Sequence, residues 1–543
     1  MKISSLIIHN YRSIEDLSVT LDPYSLVLGE NNVGKSNIIA AIKAFYDYGD
    51  CKFNADRDLP RFTRTDDESW VEIEFSLDTT EYDLLKAEYR LPDNKLRVRK
   101  FFHTSQVDAK GKPIKGFVAY EGGRLTNNYF YGAPNVGLGK LGDIIYIPAL
   151  VSLQDSFKTS GPSPYRDLLM SLIKKMASQS PSFTSLKTAF ETFSTSFVQE
   201  KLDPATPSLH EISQEISQEM GNWNTIFEIV VNSIDETDLI KNLIGQEITE
   251  QHLNEPQTPE MAGHGFQRQL IYTLIRLNAK YTNGTQSSGA EFRGTLTLLL
   301  FEEPEVFLHP PYQVSLAKKL KEFASQSNHQ VVISTHSENL VSKSITNLPS
   351  LIRITKSDGK TRKFQITSAE IQSLLVDNSE ISQVLTGYPQ NIAAEEYEAA
   401  KYLLFLTSER CASFFTKTVL LVEGPSEKNL FDYLIEEGQL NLNQEELTIV
   451  DTFGKFNTHR FMALFGKLGI PHAVLIDRDE SALQQGVNTF IESKRNTLTK
   501  GIGYLETNLE NFFGFTAVPP TRGDLNQLWH FTITRLTHKI FQA

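Results

Sequence analysis

The sequence predicts an α/β protein made of two successive parts, each organised on a largely parallel sheet. Three observations predict it. Short apolar runs such as Leu298 to Phe301 and Thr418 to Val422 have the composition of strands buried on both faces. Several of these runs end in glycine or in acids, where parallel sheets place their chemistry. Helical periodicity follows the runs, as a crossover between parallel strands requires.

The elements follow in order. Ile3 to Asn10 is strand-like, and Tyr24 to Leu28 is a second strand running into Gly29. A helix is predicted from Lys35 to Tyr46. Alternation at Val71 to Phe75, Leu96 to Arg99 and Phe117 to Tyr120 predicts a β-meander over 70–123. Ile144 to Ile147 is a short strand closed by Pro148, and 150–162 is a Ser/Pro/Gly-rich loop. Arg166 to about Gln251 is helical, broken near Pro181, Pro204 and Pro207. Helix resumes over Phe266 to Lys280. Apolar strands recur at Leu296 to Phe301 and Val331 to Ser334, and Ile352 to Thr367 is a hairpin around Asp358-Gly359. Residues 368–410 are a helical connector, and a new α/β unit opens at Lys417. The predicted divisions are 1–164, 165–255 (helical insertion), 256–367, 368–416 (linker) and 417–543.

Composition narrows the function classes. A chain of 543 residues exceeds one ordinary core. It is 40% hydrophobic and 22% charged, as in water-soluble globular proteins. The opening MKISSLIIHNYRSI has no long apolar core and no small-residue cleavage site, so no secretory signal is expected. No run of about 18 apolar residues marks a membrane span, and a cytoplasmic protein is expected. Cys51 and Cys411 stand in no metal-ligand spacing and read as reduced thiols. The net charge of −13 argues against a protein that merely coats nucleic acid. The deficit is uneven, because residues 401–543 hold 14 Lys and Arg against 16 Asp and Glu. Metal bound to the acids there would leave that part near neutral.

Gly29-Glu30-Asn31-Asn32-Val33-Gly34-Lys35-Ser36 is a full P-loop between a strand and a helix. Gly29 and Gly34 let backbone N–H groups curl around phosphate oxygens at a helix N-terminus. Lys35 would reach the β- and γ-phosphates of ATP, and Ser36 would ligate Mg²⁺. Asn31, Asn32 and Asn37 complete the nucleotide-binding positions. Leu298 to Phe301 followed by Glu302-Glu303-Pro304 has the form of a Walker B strand. Glu302 would hold Mg²⁺, and Glu303 would orient or deprotonate the attacking water. His336, in Ser334-Thr335-His336-Ser337, is placed to contact the γ-phosphate. Gly263 and Gly265, in Gly263-His264-Gly265-Phe266-Gln267-Arg268, open a helix and make a second anion site.

The C-terminal unit reads β-α-β-α-β. Its first strand ends in Glu423-Gly424-Pro425-Ser426-Glu427, and its third, Ala473 to Ile476, ends in Asp477-Arg478-Asp479. Convergence of Glu423, Glu427, Asp477 and Asp479 would be untenable without a cation. Oxygen-only donors select Mg²⁺ or Mn²⁺, and such a site can activate water against a phosphodiester. Glu506 and Glu510 lie in a helix-like stretch, YLETNLENFF. Glu510 is the candidate for a further metal position.

The first constellation resembles ABC-type ATPases. More closely, it resembles the branch that includes the structural-maintenance-of-chromosomes proteins and the OLD (overcoming lysogenization defect) nucleases. Asn10-Tyr11-Arg12-Ser13, Glu302-Glu303-Pro304-Glu305 with Leu308-His309-Pro310, and the Ser-Thr-His-Ser run carry that resemblance. The C-terminal unit resembles a Toprim domain. The implied fold is an ABC-type ATPase, a mixed sheet with an antiparallel β lobe and a helical insertion, followed by a Rossmann-like Toprim domain. Two departures stand out: Glu302 replaces the usual Walker B aspartate, and the signature is GHGFQR. The glutamine loop has only Gln154 as a candidate.

The resemblance implies that Glu423 is the acid/base glutamate, that Asp477 and Asp479 are metal ligands, and that Glu427 joins them. OLD nucleases also use a C-terminal lysine, for which Lys539 is the candidate. It further implies an ATPase-coupled DNA endonuclease of antiphage defence, similar to Gabija-type nucleases. A homodimer or larger homo-oligomer would form through the ATPase, with 165–255 as the dimerisation element. A partner encoded nearby, a helicase or a retron reverse transcriptase with its DNA, belongs to the same expectation. The alternative is a non-cutting, ATP-dependent nucleic-acid sensor or scaffold.

Overall fold

The computed structural model describes residues 1–149 apart from 50 and 109, and scattered stretches between 165 and 282. It also describes 291–478 apart from 307, 342, 385–393 and 441–446, and finally 481–505. The chain forms two compact units, Met1–Ile144 with Gly289–Ala543, and Ile145–Ser288.

The described residues form three main sheets. Lys2–Tyr11 (β1), Ile14–Thr20 (β2), Ser69–Ser76 (β4), Lys95–His103 (β5), Gly116–Glu121 (β6) and Arg124–Tyr129 (β7) make an antiparallel sheet of order β2-β1-β4-β5-β6-β7. It is the expected meander, extended by β1 and β2. Its strands bury one face through Leu6, Ile8, Val71, Ile73, Val98 and Ala119.

The second sheet carries the phosphate chemistry. Tyr24–Leu28 (β3), Asp143–Ile147 (β8), Thr297–Glu302 (β9), His329–Ser334 (β10), Leu351–Ser357 (β11) and Lys360–Phe364 (β12) run in the order β12-β11-β3-β10-β9-β8. β3 pairs in parallel with both β10 and β11, and β10 with β9. Every residue of β3 and β10 is buried, as their apolar composition requires. β11 and β12 form the expected hairpin, turned at Asp358 (φ 53°) and Gly359 (φ 77°).

The third sheet is parallel throughout. Thr418–Val422 (β13), Leu447–Asp451 (β14), His472–Asp477 (β15) and Thr499–Leu505 (β16) run in the order β14-β13-β15-β16. β16 departs from the expected helix-like stretch, since Tyr504 and Leu505 end a strand. Gly501 and Gly503 hide this strand in the sequence, because glycine offers no side chain to make an apolar pattern. In the chain between β12 and β13, the helix Ala394–Phe405 is tied down by a buried pair, Glu398 with Arg460 of the helix Thr458–Lys467, through two 2.6 Å hydrogen bonds.

In the second unit, Pro181–Gln199 and Leu209–Glu219 are helices started by Ser180 and Ser208, whose side chains accept from Phe183 N–H and Glu211 N–H. His264–Thr282 is helical as well. Among the described residues no helix is long and apolar enough to cross a membrane.

Candidate active sites

The P-loop is shaped by its neighbours. β3 delivers the chain to Gly29 (φ 140°), where a Cβ would stand 2.2 Å from the Ile354 carbonyl oxygen. At Gly34 (φ 111°) a Cβ would stand 2.4 Å from Thr361 Oγ1. Only glycine fits either position. Thr361 Oγ1 donates to Val33 O (2.9 Å) and lies 2.7 Å from Ser13 Oγ, to which Asn37 Nδ2 donates (2.7 Å). The Asn10-Tyr11-Arg12-Ser13 turn and the β11–β12 hairpin thus clasp the loop from both sides. The helix Lys35–Phe45 starts there with no side-chain cap, leaving its first N–H groups for an anion.

Lys35 is buried, and its ammonium donates to Gly29 O (2.9 Å) and Glu30 O (2.6 Å). Burial pulls its pKa down to about 8, against the opposing pull of Glu303, Glu305 and Glu30. Ser36 Oγ donates to Glu302 Oε2 at 3.3 Å. The P-loop hydroxyl and the β9 carboxylate therefore stand together as the oxygen donors a hard divalent cation takes, and the residues present fit Mg²⁺.

Glu303 follows β9 with φ 44°, a left-handed conformation that costs a non-glycine residue roughly 1–3 kcal/mol. Its N–H donates to Ser334 O (2.7 Å), which holds the turn. The strain presents Glu303 to His336, with Oε1 and Nε2 3.8 Å apart. Burial, reinforced by the Lys35 charge, lowers the pKa of His336, which keeps the imidazole neutral. Glu305 Oε1 accepts from His336 N–H at 2.6 Å, and burial raises its pKa. These groups enclose a cavity of about 230 Å³, lined among others by Asn31, Lys35, Ser36, Glu303, His336 and Lys356. Lys356, Thr361 and Glu305 are parts of this site that the motifs alone do not mark as functional. Gly263 is exposed at the start of the helix His264–Thr282, whose second residue is Gly265, in the second unit.

The other acids sit at carboxyl ends of the third sheet. Glu423 follows β13, and Asp477 ends the adjacent β15. The Asp477 N–H donates to Glu423 Oε2 at 3.4 Å. The Glu423 carbonyl is held by Gly454 N–H (2.7 Å) and Thr452 Oγ1 (3.3 Å). Glu427 is buried, and its Oε2 accepts from Gly424 N–H (2.9 Å), so it caps its own helix, Pro425–Glu436. Lys455 was not among the expected site residues. Its side chain is buried, and its ammonium donates to Asp477 O (2.6 Å) and lies 4.0 Å from Glu423 Oε2. The signal in the sequence is the Gly454-Lys455 pair just beyond a parallel strand.

Glu423 and Asp477 offer oxygen donors only, which fits Mg²⁺ or Mn²⁺. Among the described residues no group of three or more His, Cys, Asp or Glu side chains is gathered as a metal site. Asp479, Glu506, Glu510, Lys539 and Gln154 lie outside the described residues.

Comparison with known proteins adds to this geometry. The AAA ATPase domain family matches residues 1–127 and 124–341. The overcoming lysogenization defect protein-like TOPRIM domain matches 414–479, the stretch that holds Glu423, Lys455 and Asp477. The Old nuclease of Escherichia phage P2 is 24% identical over 491 residues, 88% of this chain and 77% of that protein. Endonuclease GajA of Bacillus cereus (strain VD045) is 22% identical over 498 residues, 88% of this chain and 75% of its own. Among solved structures, an SmcHead bound to the C-winged helix domain of ScpA is similar over 68% of this chain and 99% of that one, at 15% identity and a TM-score of 0.39.

Proposed function

This chain belongs to the AAA ATPase domain family, joined to a Toprim domain of the OLD type, and on that premise we propose that it is an ATP-dependent DNA endonuclease requiring a divalent metal. The observation that carries the reading is the placement of Glu423 and Asp477 at the carboxyl ends of adjacent parallel strands, the Asp477 N–H donating to Glu423 and the Lys455 ammonium beside them. It shares one compact unit with a formed P-loop site. The names of the relatives, nuclease and endonuclease, support the same activity.

At the nucleotide site the work of the chain is binding and polarisation. Lys35 and the bare helix N-terminus hold the phosphates, and Glu303 orients the water for hydrolysis. At the Toprim site a bound divalent ion would supply Lewis acidity and lower the pKa of water. Glu423 takes or returns the proton at the reacting oxygen. Asp477, with Asp479 and Glu510 as further candidates, holds the ion. Lys455 offsets part of the carboxylate charge. Homodimerisation through the ATPase, with Gly263 and Gly265 meeting the P-loop of a second copy, belongs to this reading. So does a role in antiphage defence, alone or with a helicase or a reverse transcriptase and its DNA.

The test is incubation of supercoiled plasmid with the purified chain, with Mg²⁺ or Mn²⁺, with and without ATP. Nicked or linear product is expected from wild type and not from Asp477→Ala. Normal ATP turnover with no cutting under any condition would favour a sensor or scaffold instead.

A further inference from the structure

β11 lies between the two proposed sites. Arg353 in β11 is the Cα partner of Leu28, the residue before Gly29, and the next carbonyl, Ile354 O, is the one that allows only glycine at the loop entry. The Arg353 side chain is 2% exposed and makes four hydrogen bonds to main-chain carbonyls. Nε donates to Phe414 O (3.0 Å) and Nη2 to Thr416 O (2.8 Å). Nη1 donates to Leu468 O (3.2 Å) and Gly469 O (2.9 Å). Phe414 and Thr416 lead into β13, which ends at Glu423. Leu468 and Gly469 lead into β15, which ends in Asp477. A second contact closes the same joint. Gly469 has φ 69°, and a Cβ there would stand 2.4 Å from the ring of Phe364 in β12.

A buried guanidinium is costly unless its donors are satisfied, and apolar residues of similar volume often stabilise as well or better. An apolar side chain could fill the space but could not hold two separate loops in one geometry. The planar fork does that, because its donors have fixed directions.

We propose that Arg353 is a positioning residue that fixes the roots of both acid-bearing Toprim strands to the strand that shapes the phosphate loop. The nucleotide site and the nuclease site of one protomer then move as one body. Nucleotide-driven change reaches the cutting site by moving one protomer against another, not by bending within the 368–410 connector. The Glu398–Arg460 pair, which ties the connector to the Toprim helix Thr458–Lys467, agrees with this.

The inference rests on the proposed nucleotide site in one respect, that ATP binds the P-loop. The experiment is amide hydrogen exchange on the full chain with and without Mg-ATP, for wild type, Arg353→Met and Arg353→Lys. An amide whose opening also breaks the ATP site slows by up to one plus the ratio of ATP to its Kd, about 100-fold at 100 times Kd. In wild type, the amides of β13 and β15 should slow together with those of the P-loop and β11. In Arg353→Met the P-loop amides should still slow, and those of β13 and β15 should not. Arg353→Lys, which reaches fewer carbonyls, should fall between. Slowing at the P-loop without slowing at β13 and β15 in wild type would overturn the inference, as would unchanged linkage in Arg353→Met. Absence of slowing at the P-loop itself would instead contradict the nucleotide site. If Arg353→Met does not fold, the wild-type pattern alone decides.

Discussion

Glu303 and Lys455 are the residues at which geometry adds most to the motifs. The left-handed backbone of Glu303 is maintained against its cost by the bond to Ser334 O, and it sets the carboxylate 3.8 Å from His336. Glu303→Gln keeps the size and loses the base. It should bind ATP normally and turn it over roughly 10²-fold more slowly. Comparable turnover in steady-state assays would move the role to Glu302. Lys455 is expected to matter through charge. Lys455→Met removes the ammonium charge beside Glu423 and Asp477 and should shift the metal titration of cleavage, with a changed metal Kd by calorimetry as a second readout. An unchanged metal Kd would reduce Lys455 to a packing residue. Asp477→Ala should lower cleavage roughly 10³-fold or more, the several kcal/mol a catalytic metal supplies, with ATP hydrolysis intact. Loss of both activities would show that the two sites are not separable.

The strands that position these residues differ in how plainly the sequence shows them. β3, β9 and β10 are largely buried on both faces and β13 is apolar throughout its last four residues, so composition marks them, and the acids that end β9 and β13 follow. β16 is hidden by Gly501 and Gly503. The support given by Thr361 and Arg353 is hidden for another reason: each acts through contacts to residues far away in the chain, Ser13 and Leu468 among them, and no local pattern encodes that. β10 also begins with a residue whose burial has a consequence for stability. His329 is 1% exposed, its ring packs edge-on against Phe323, and neither ring nitrogen has a hydrogen-bond partner among the described residues. Burial, with the charge of Lys2, lowers its pKa to about 4. The unfolded chain, with an ordinary histidine near 6.5, binds the proton first. Stability should therefore fall as pH drops from about 6.5 towards 4, by about 3 kcal/mol at most from this residue. His329→Phe should flatten that limb in denaturant titrations at pH 7 and pH 5. An equal loss in both proteins would assign the acid sensitivity to other groups.

One compact unit holds an ATP-binding loop and the two strand ends proposed to hold metal, joined through β11. A ligand shifts an equilibrium only by its differential affinity for two states. ATP held between a P-loop and an opposing signature would favour the closed pair of protomers, and the Toprim sheets would be carried with it. Nucleotide occupancy should therefore govern cutting, and the decisive measurement is the rate of plasmid cleavage against ATP concentration, at fixed Mg²⁺ or Mn²⁺, for wild type and Lys35→Ala side by side. The wild-type rate should change with ATP and saturate, and the Lys35→Ala rate should not respond over the same range. Superimposable, ATP-independent rates for the two proteins would contradict it.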